Sequence, residues 1–153
     1  MSVTINGTNG VTFNDGTVQA SSAIGKNLII NGDMRINQRG GTITMSTGNY
    51  NLDRFFSYTS TDGTQTAEQS TEAPAGFKNS LKVTTTTADS SLAAGQRTAI
   101  IHRVEGNNIS HLDWGTSDAK SVTLSFWVRS SITGTHGGAI GNGVDNRAYP
   151  FTY

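Results

Sequence analysis

A side-chain pattern with a period of two residues is the feature that most restricts the fold of this chain. It is clearest in residues 121–130, where Val122, Leu124, Phe126 and Val128 alternate with other residues. In an extended strand, successive side chains point to opposite faces. The pattern therefore predicts a β-strand that turns one apolar face toward a core.

Residues 27–56 carry the densest set of strand and turn signals. An apolar run leads into Asn31-Gly32, and Met34 and Ile36 then alternate with polar residues. An Asn-Gly dipeptide between two such runs favours a tight turn between strands. We therefore expect the chain to enter an all-β fold here.

An aromatic cluster closes this stretch. Leu52, Phe55 and Phe56 are expected to fill the core. The adjacent Asp53 and Arg54 could pair with each other and pin their loop, or they could contact a ligand. Exposed pairs of this kind contribute only about 0–1 kcal/mol.

Further segments are predicted as strands. A polar hairpin with Asp62-Gly63 at its tip is expected over residues 57–69, and a half-buried strand with Leu81 and Val83 inward over residues 80–84. Residues 97–104 form another predicted strand, in which the adjacent Ile100 and Ile101 require a bulge or burial on both faces. Residues 109–114 could form a short helical turn or an extended loop, and an aromatic strand is predicted over residues 147–153.

Composition narrows the class of protein. Hydrophobic residues make up 34% of the chain and there are 18 glycines, which favours short strands, many turns and a thin core. The 11 basic and 11 acidic residues balance, so we expect no nucleic-acid partner. The chain has no cysteine and no apolar run of about 18 residues, so neither a disulfide nor membrane insertion is expected.

Residues 1–25 are predicted to form a separate arm. Val11 and Phe13 precede Asn14-Asp15-Gly16 and Val18 follows it, which is a strong hairpin signal. A lone hairpin is marginal in water, so it must pack on something. It is either an ordinary hairpin on the domain edge or an arm for docking and oligomerisation through Val11, Phe13 and Val18. Residues 26–153 are then one domain, which we expect to be incomplete because the sequence ends inside a strand pattern.

Three segments together carry a family resemblance. They are NLIINGDMRINQRGG with YNLDRFF, then SLKVT, then VTLSFWVRSSITGT, and the likeness spans roughly residues 27–153. They resemble a β-sandwich domain of bacteriophage tail-fibre and other virion proteins, which is similar to jelly-roll carbohydrate-binding modules. The segment GVTFNDGTVQAS also resembles turns of phage fibre proteins, where they belong to trimeric shafts or attachment segments.

The resemblance implies a fold and a place in the virion. The fold would be all-β, an antiparallel jelly-roll β-sandwich preceded by a short β-hairpin arm. The protein would be a homotrimer in a tail or capsid appendage, would contact other virion proteins and would bind host-surface polysaccharide. The alternative is a purely structural decoration or collar subunit that binds only protein.

Trp127 is the main candidate for sugar binding. It lies opposite the apolar stripe of its predicted strand, beside Arg129. A flat apolar ring with polar groups at its rim is what stacking on a sugar requires. Trp114, in a polar loop, is a second candidate. For Trp127 the alternative is a structural role under a loop or under the arm.

Asp33 is a candidate metal ligand, and no residue is a candidate for catalysis. Related carbohydrate-binding modules often place an acidic calcium ligand at this point, but calcium needs six to eight oxygen ligands. The alternative is that Asp33 caps the turn after Asn31-Gly32. No other cofactor is expected. Without a nucleophile motif, a phosphate loop or spaced histidines, the chain is not expected to be an enzyme.

Overall fold

The chain folds as an all-β protein of antiparallel sheets. The computed structural model describes residues 4–6, 10–13, 15, 18–19, 27–144 and 146–153. The chain divides into two compact units, Met1–Ser121 and Val122–Tyr153. The first contains the strands β1 Thr4–Asn6, β2 Gly10–Thr12, β3 Val18–Gln19, β4 Ile43–Thr44, β5 Tyr50–Leu52, β6 Phe55–Thr59, β7 Thr64–Ser70, β8 Ser80–Thr87 and β9 Thr98–His102, with a helical turn α1 at Gly106–Ile109 and a 3₁₀ turn at Ser110–Leu112. The second contains β10 Gly137–Gly141 and β11 Ala148–Thr152.

The first three strands form a small antiparallel sheet in the order β1-β2-β3. Val11 pairs with Gln19, and Thr12 pairs with Val18. Val11 is half-buried, whereas Phe13 and Val18 are exposed. The predicted turn at residues 14–16 lies largely outside the described residues, and the docking role of the arm stays a prediction.

Two further sheets, β4-β7-β8 and β5-β6-β9, make up the rest of the first unit. The hairpin predicted over residues 57–69 is wrong, because β6 and β7 belong to different sheets. The link between them instead packs against residues 87–89, where the Asp89 carboxylate accepts a hydrogen bond from the Asp62 backbone N–H at 3.0 Å. At Gly63 a Cβ would lie 2.7 Å from the Thr87 carbonyl oxygen, so the glycine permits this close approach.

Both sheets contribute to a small core. Its buried apolar residues are Met45, Leu52, Phe55, Phe56, Ala67 and Leu112. The buried Gln65 side-chain oxygen accepts hydrogen bonds from the Thr98 hydroxyl at 3.2 Å and the Thr59 hydroxyl at 3.5 Å, which links β7 to β9 and β6. The aromatic cluster is therefore in the core, as predicted.

The edge strand β8 is more open than its pattern predicts. Leu81 is half-buried, but 42% of Val83 is exposed, although Val83 pairs with the fully buried Ala67. In β9 the ladder to β6 is continuous and both Ile100 and Ile101 are half-buried. Burial on both faces, rather than a bulge, therefore accommodates the two isoleucines.

Residues 27–37 form linked turns rather than the predicted pair of strands. Asn31 has a φ of 60°, and Met34 has a φ of 57°. The Asn31 side chain accepts a hydrogen bond from the Ile36 N–H and donates to the Ile36 and Asp53 carbonyls, each at 2.9 Å. A side-chain amide thus replaces the backbone pairing that a strand partner would provide.

The second unit is built on one hairpin. β10 and β11 pair antiparallel from Gly137 with Thr152 to Gly141 with Ala148. The strand predicted over residues 121–130 is not formed, because no described segment pairs with it. Phe126 instead packs on the hairpin, with its ring centroid 4.9 Å from that of Tyr153 and nearly perpendicular to it.

Candidate functional site

A shallow cleft of about 300 Å³ lies on the first unit. Tyr50 comes from β5, and Arg54 from the two-residue turn between β5 and β6. Arg103 and Glu105 follow the end of β9. The lining residues are Tyr50, Arg54, Arg103, Val104 and Glu105.

Arg54 connects the β5–β6 turn to the segment after β9 that lines the cleft. Its Nη2 lies 2.7 Å from the Glu105 Oε1 and donates to the Arg103 carbonyl at 3.1 Å. The Arg54 hydrogen bond lowers the pKa of the Glu105 carboxyl. Arg54 has a φ of 75°, a conformation that costs a non-glycine residue roughly 1–2 kcal/mol. Its side-chain contacts offset part of that cost.

The predicted pairing between Asp53 and Arg54 is wrong. Asp53 accepts a hydrogen bond from the Gln38 N–H at 2.6 Å and lies 3.6 Å from the Arg39 guanidinium. The two neighbours point to different partners because they occupy the tight turn between β5 and β6. Each therefore fixes a different part of the surface.

Two arginine guanidinium groups make cation–π contacts with aromatic rings beside the cleft. Arg103 lies 4.6 Å above the Phe56 ring centroid, and Arg39 lies 5.3 Å above that of Tyr50. The Tyr50 and Phe56 centroids are 5.6 Å apart, and 43% of Tyr50 is exposed. Arg103 also lines the cleft, and among the described residues no carboxylate lies within ion-pair distance of it.

The residues predicted to bind glycan lie in different units. Trp127 is 74% exposed in the second unit, and Arg129 is exposed as well. Trp114 is 45% exposed in the first unit, and its indole N–H donates to the Lys120 carbonyl at 2.8 Å. Trp127 thus offers the larger open ring surface, whereas Trp114 also holds its own loop.

Asp33 forms a surface ion pair. Its carboxylate lies 2.8 Å from the Arg35 Nε, and both side chains are largely exposed. Asn31 rather than Asp33 supplies the side-chain hydrogen bonds that order this turn. In the part of the chain that the structure describes, no three His, Cys, Asp or Glu side chains cluster in a way that could hold a metal. Calcium binding by Asp33 stays a prediction.

An apolar groove of about 300 Å³ marks the second unit. Alternate residues of the segment 121–130, which pairs with no described strand, form one wall. The aromatic face of the β10–β11 hairpin forms the other. The lining residues are Val122, Leu124, Phe126, Ile140, Tyr149, Phe151 and Tyr153.

Of the residues that line the cleft, Arg54 is a possible ligand contact from the sequence, whereas Arg103 and Glu105 are not singled out by it. Arg103 falls inside the strand predicted over residues 97–104, and Glu105 falls in the turn after it. Tyr50 is a weaker candidate for sugar binding than the two tryptophans. The usable signal was the arginine at a two-residue turn, where a glycine would be expected. The cleft itself depends on which strands pair, and the local pattern does not specify that.

An antiparallel all-β protein with an arginine-bearing surface cleft is the class that the fold and the site define. No family matches the chain, and neither does a curated protein or a solved structure. Over the described residues, none of the helices is long and apolar enough to cross a membrane.

Proposed function

We propose that the chain is a phage virion appendage protein, of a tail or head fibre, that binds glycan on the host surface. Its N-terminal arm docks it to other virion proteins, and its β-rich region is a jelly-roll sandwich that presents the glycan site. The protein works as a homotrimer and has no enzymatic activity. The sequence resemblance and the all-β architecture support this proposal.

The exposed ring of Trp127 carries the glycan-binding part. Trp127 is 74% exposed, so its apolar ring face is open to a ligand. Stacking on a pyranose ring would remove that face from water while the sugar hydroxyls stay solvated. One such contact is weak, but linked copies can raise avidity by roughly 10²–10⁴. Trimerisation would therefore fit the function.

The test is binding to immobilised capsular polysaccharide and lipopolysaccharide from candidate host bacteria, measured by biolayer interferometry. Trp127→Ala should weaken binding about tenfold, and Trp127→Phe should retain most of it because it keeps a flat ring. Ile132→Ala is the matched control, since Ile132 is 70% exposed in the same unit. Circular dichroism checks folding, and analytical ultracentrifugation gives the number of copies. Equal binding by wild type and Trp127→Ala would reject the Trp127 site.

A structural subunit that binds only protein is the second candidate. The apolar groove of the second unit favours it, because Leu124, Phe126 and Tyr149 are all more than 40% exposed. Exposed apolar surface of this kind often marks a protein interface. A folded, oligomeric wild type that binds none of the polysaccharides would favour this alternative.

A further inference from the structure

We propose that the cleft of the first unit recognises the carboxylate of an acidic sugar. The inference rests on the proposed glycan binding and adds a second contact, formed by Arg103 and Tyr50. The cleft is a site of the first unit by itself, and it concerns the chemical class of the glycan rather than the presence of a glycan site.

The balance of charges at the cleft fits a single negative group. Glu105 neutralises Arg54 at 2.7 Å, and Asp53 lies 3.6 Å from Arg39. Arg103 is left without a carboxylate partner among the described residues, so one positive charge remains. A guanidinium presents a planar fork of donors that matches the two oxygens of a carboxylate.

Arg103 is held in place before any ligand arrives. Its guanidinium lies 4.6 Å above the Phe56 ring centroid, a cation–π contact that restricts the side chain. Holding a long side chain in one position lowers the conformational entropy lost on binding. The half-exposed Tyr50 gives the cleft an apolar wall and a hydroxyl, which suits a sugar ring better than a bare inorganic anion.

Two substitutions in the cleft should change the binding of an acidic oligosaccharide in opposite directions. Arg103→Gln should weaken binding of an acidic oligosaccharide about ten- to a hundredfold, because a charge-assisted hydrogen bond is lost. Glu105→Gln should strengthen binding, because it removes the nearby negative charge while its amide oxygen still accepts from Arg54. A purely structural role for both residues would not give opposite effects.

The experiment is calorimetric titration of the full chain with hexagalacturonate and with its fully methyl-esterified form. The wild type should prefer the free acid, and higher salt should reduce that preference. Lys78→Gln, at an exposed lysine outside the cleft, carries the same charge change as Arg103→Gln and should leave binding unchanged. Near-ultraviolet circular dichroism confirms that each variant keeps its aromatic packing.

The outcomes separate the two proposals. Equal binding of acid and ester, or equal binding by wild type and Arg103→Gln, overturns the carboxylate site while glycan binding stands. A weakened Glu105→Gln variant overturns it too. If neither hexasaccharide binds but neutral polysaccharide binds through Trp127, only the carboxylate site fails. If no glycan of any kind binds the folded wild type, both proposals fail.

Discussion

Arginines organise the surface around Tyr50 and Phe56, and each is held by a different contact. Arg39 lies on Tyr50 and near Asp53, Arg54 pairs with Glu105, and Arg103 lies on Phe56. Cation–π contacts at exposed positions contribute about 0.5–1 kcal/mol each, so none of them dominates stability. Their main consequence is a fixed arrangement of charge.

His102 gives the first unit a dependence on pH. It is half-buried, its Nε2 lies 3.1 Å from the Ile30 carbonyl oxygen, and its ring is 4.9 Å from that of Phe55. Burial lowers the pKa of His102 below its ordinary value of 6.5 and the charge of Arg54 adds to this, while the Ile30 carbonyl and the Glu105 carboxylate oppose the shift only in part. The unfolded chain therefore takes up a proton first as the pH falls, so stability is full above pH 6.5 and decreases below it.

The measurement is urea unfolding at pH 7.5 and pH 5. We expect the wild type to lose more unfolding free energy over this interval than His102→Gln, which cannot titrate. His111→Gln, at an exposed histidine, should keep the wild-type loss. An identical loss in wild type and His102→Gln would show that other groups control the pH dependence.

The sequence pattern predicts which side chains are buried more reliably than it predicts which residues they contact. Leu52 and Phe56 are buried as predicted, because their apolar area leaves them little alternative. The partners of Asp53 and Arg54 were not predictable, since they come from residues 39 and 105, distant in sequence. Trp127 is exposed as a stacking residue would require, and its role stays a prediction.

At the level of elements, the crossing from β6 to β7 decides the arrangement of the first unit. Asp62-Gly63 reads locally as the tip of a hairpin, but β6 pairs with β9 and β7 pairs with β8. Turn dipeptides specify a local bend and leave the strand partners open. Alternation predicted strands at residues 80–84 and 97–104, failed at residues 27–37 and 121–130, and left the assignment of strands to sheets open.

A substitution at Gly63 tests how closely the β6–β7 link must approach residues 87–89. A Cβ there would lie 2.7 Å from the Thr87 carbonyl oxygen and 2.9 Å from the Asp89 backbone nitrogen. We expect Gly63→Ala to lower the unfolding free energy by about 1–3 kcal/mol, because backbone must move. Urea unfolding measures the change.

Gly106→Ala is the matched control for that substitution. Gly106 begins α1, and in the described part of the chain no atom beyond its neighbours and its own helix lies within 4 Å of a Cβ there. Alanine should be neutral there or should stabilise by up to about 1 kcal/mol. Equal effects of the two substitutions would mean that the crossing can relax freely.

At the level of the whole molecule, the two units bury very different amounts of apolar surface. The six buried apolar residues of the described chain all lie in the first unit. The apolar face predicted for residues 121–130 is not buried, because Val122, Leu124, Phe126 and Val128 are all at least 40% exposed. The alternation does not supply a neighbouring strand, and a strand without a ladder partner remains an extended segment. Period-two patterning therefore predicted the all-β class and failed on this strand.

This difference predicts unequal stability along the chain. The second unit rests on one two-stranded sheet, which is marginal in water on its own. We expect the amides of β10 and β11 to exchange hydrogen at least about a hundredfold faster than those of β6, β7 and β9, because local opening there exposes little apolar surface. Hydrogen exchange followed by mass spectrometry resolves the two sets of peptides. Equal protection would contradict independent opening, whereas slower exchange of β10 and β11 in the presence of a virion protein would locate that protein's contact on the apolar groove.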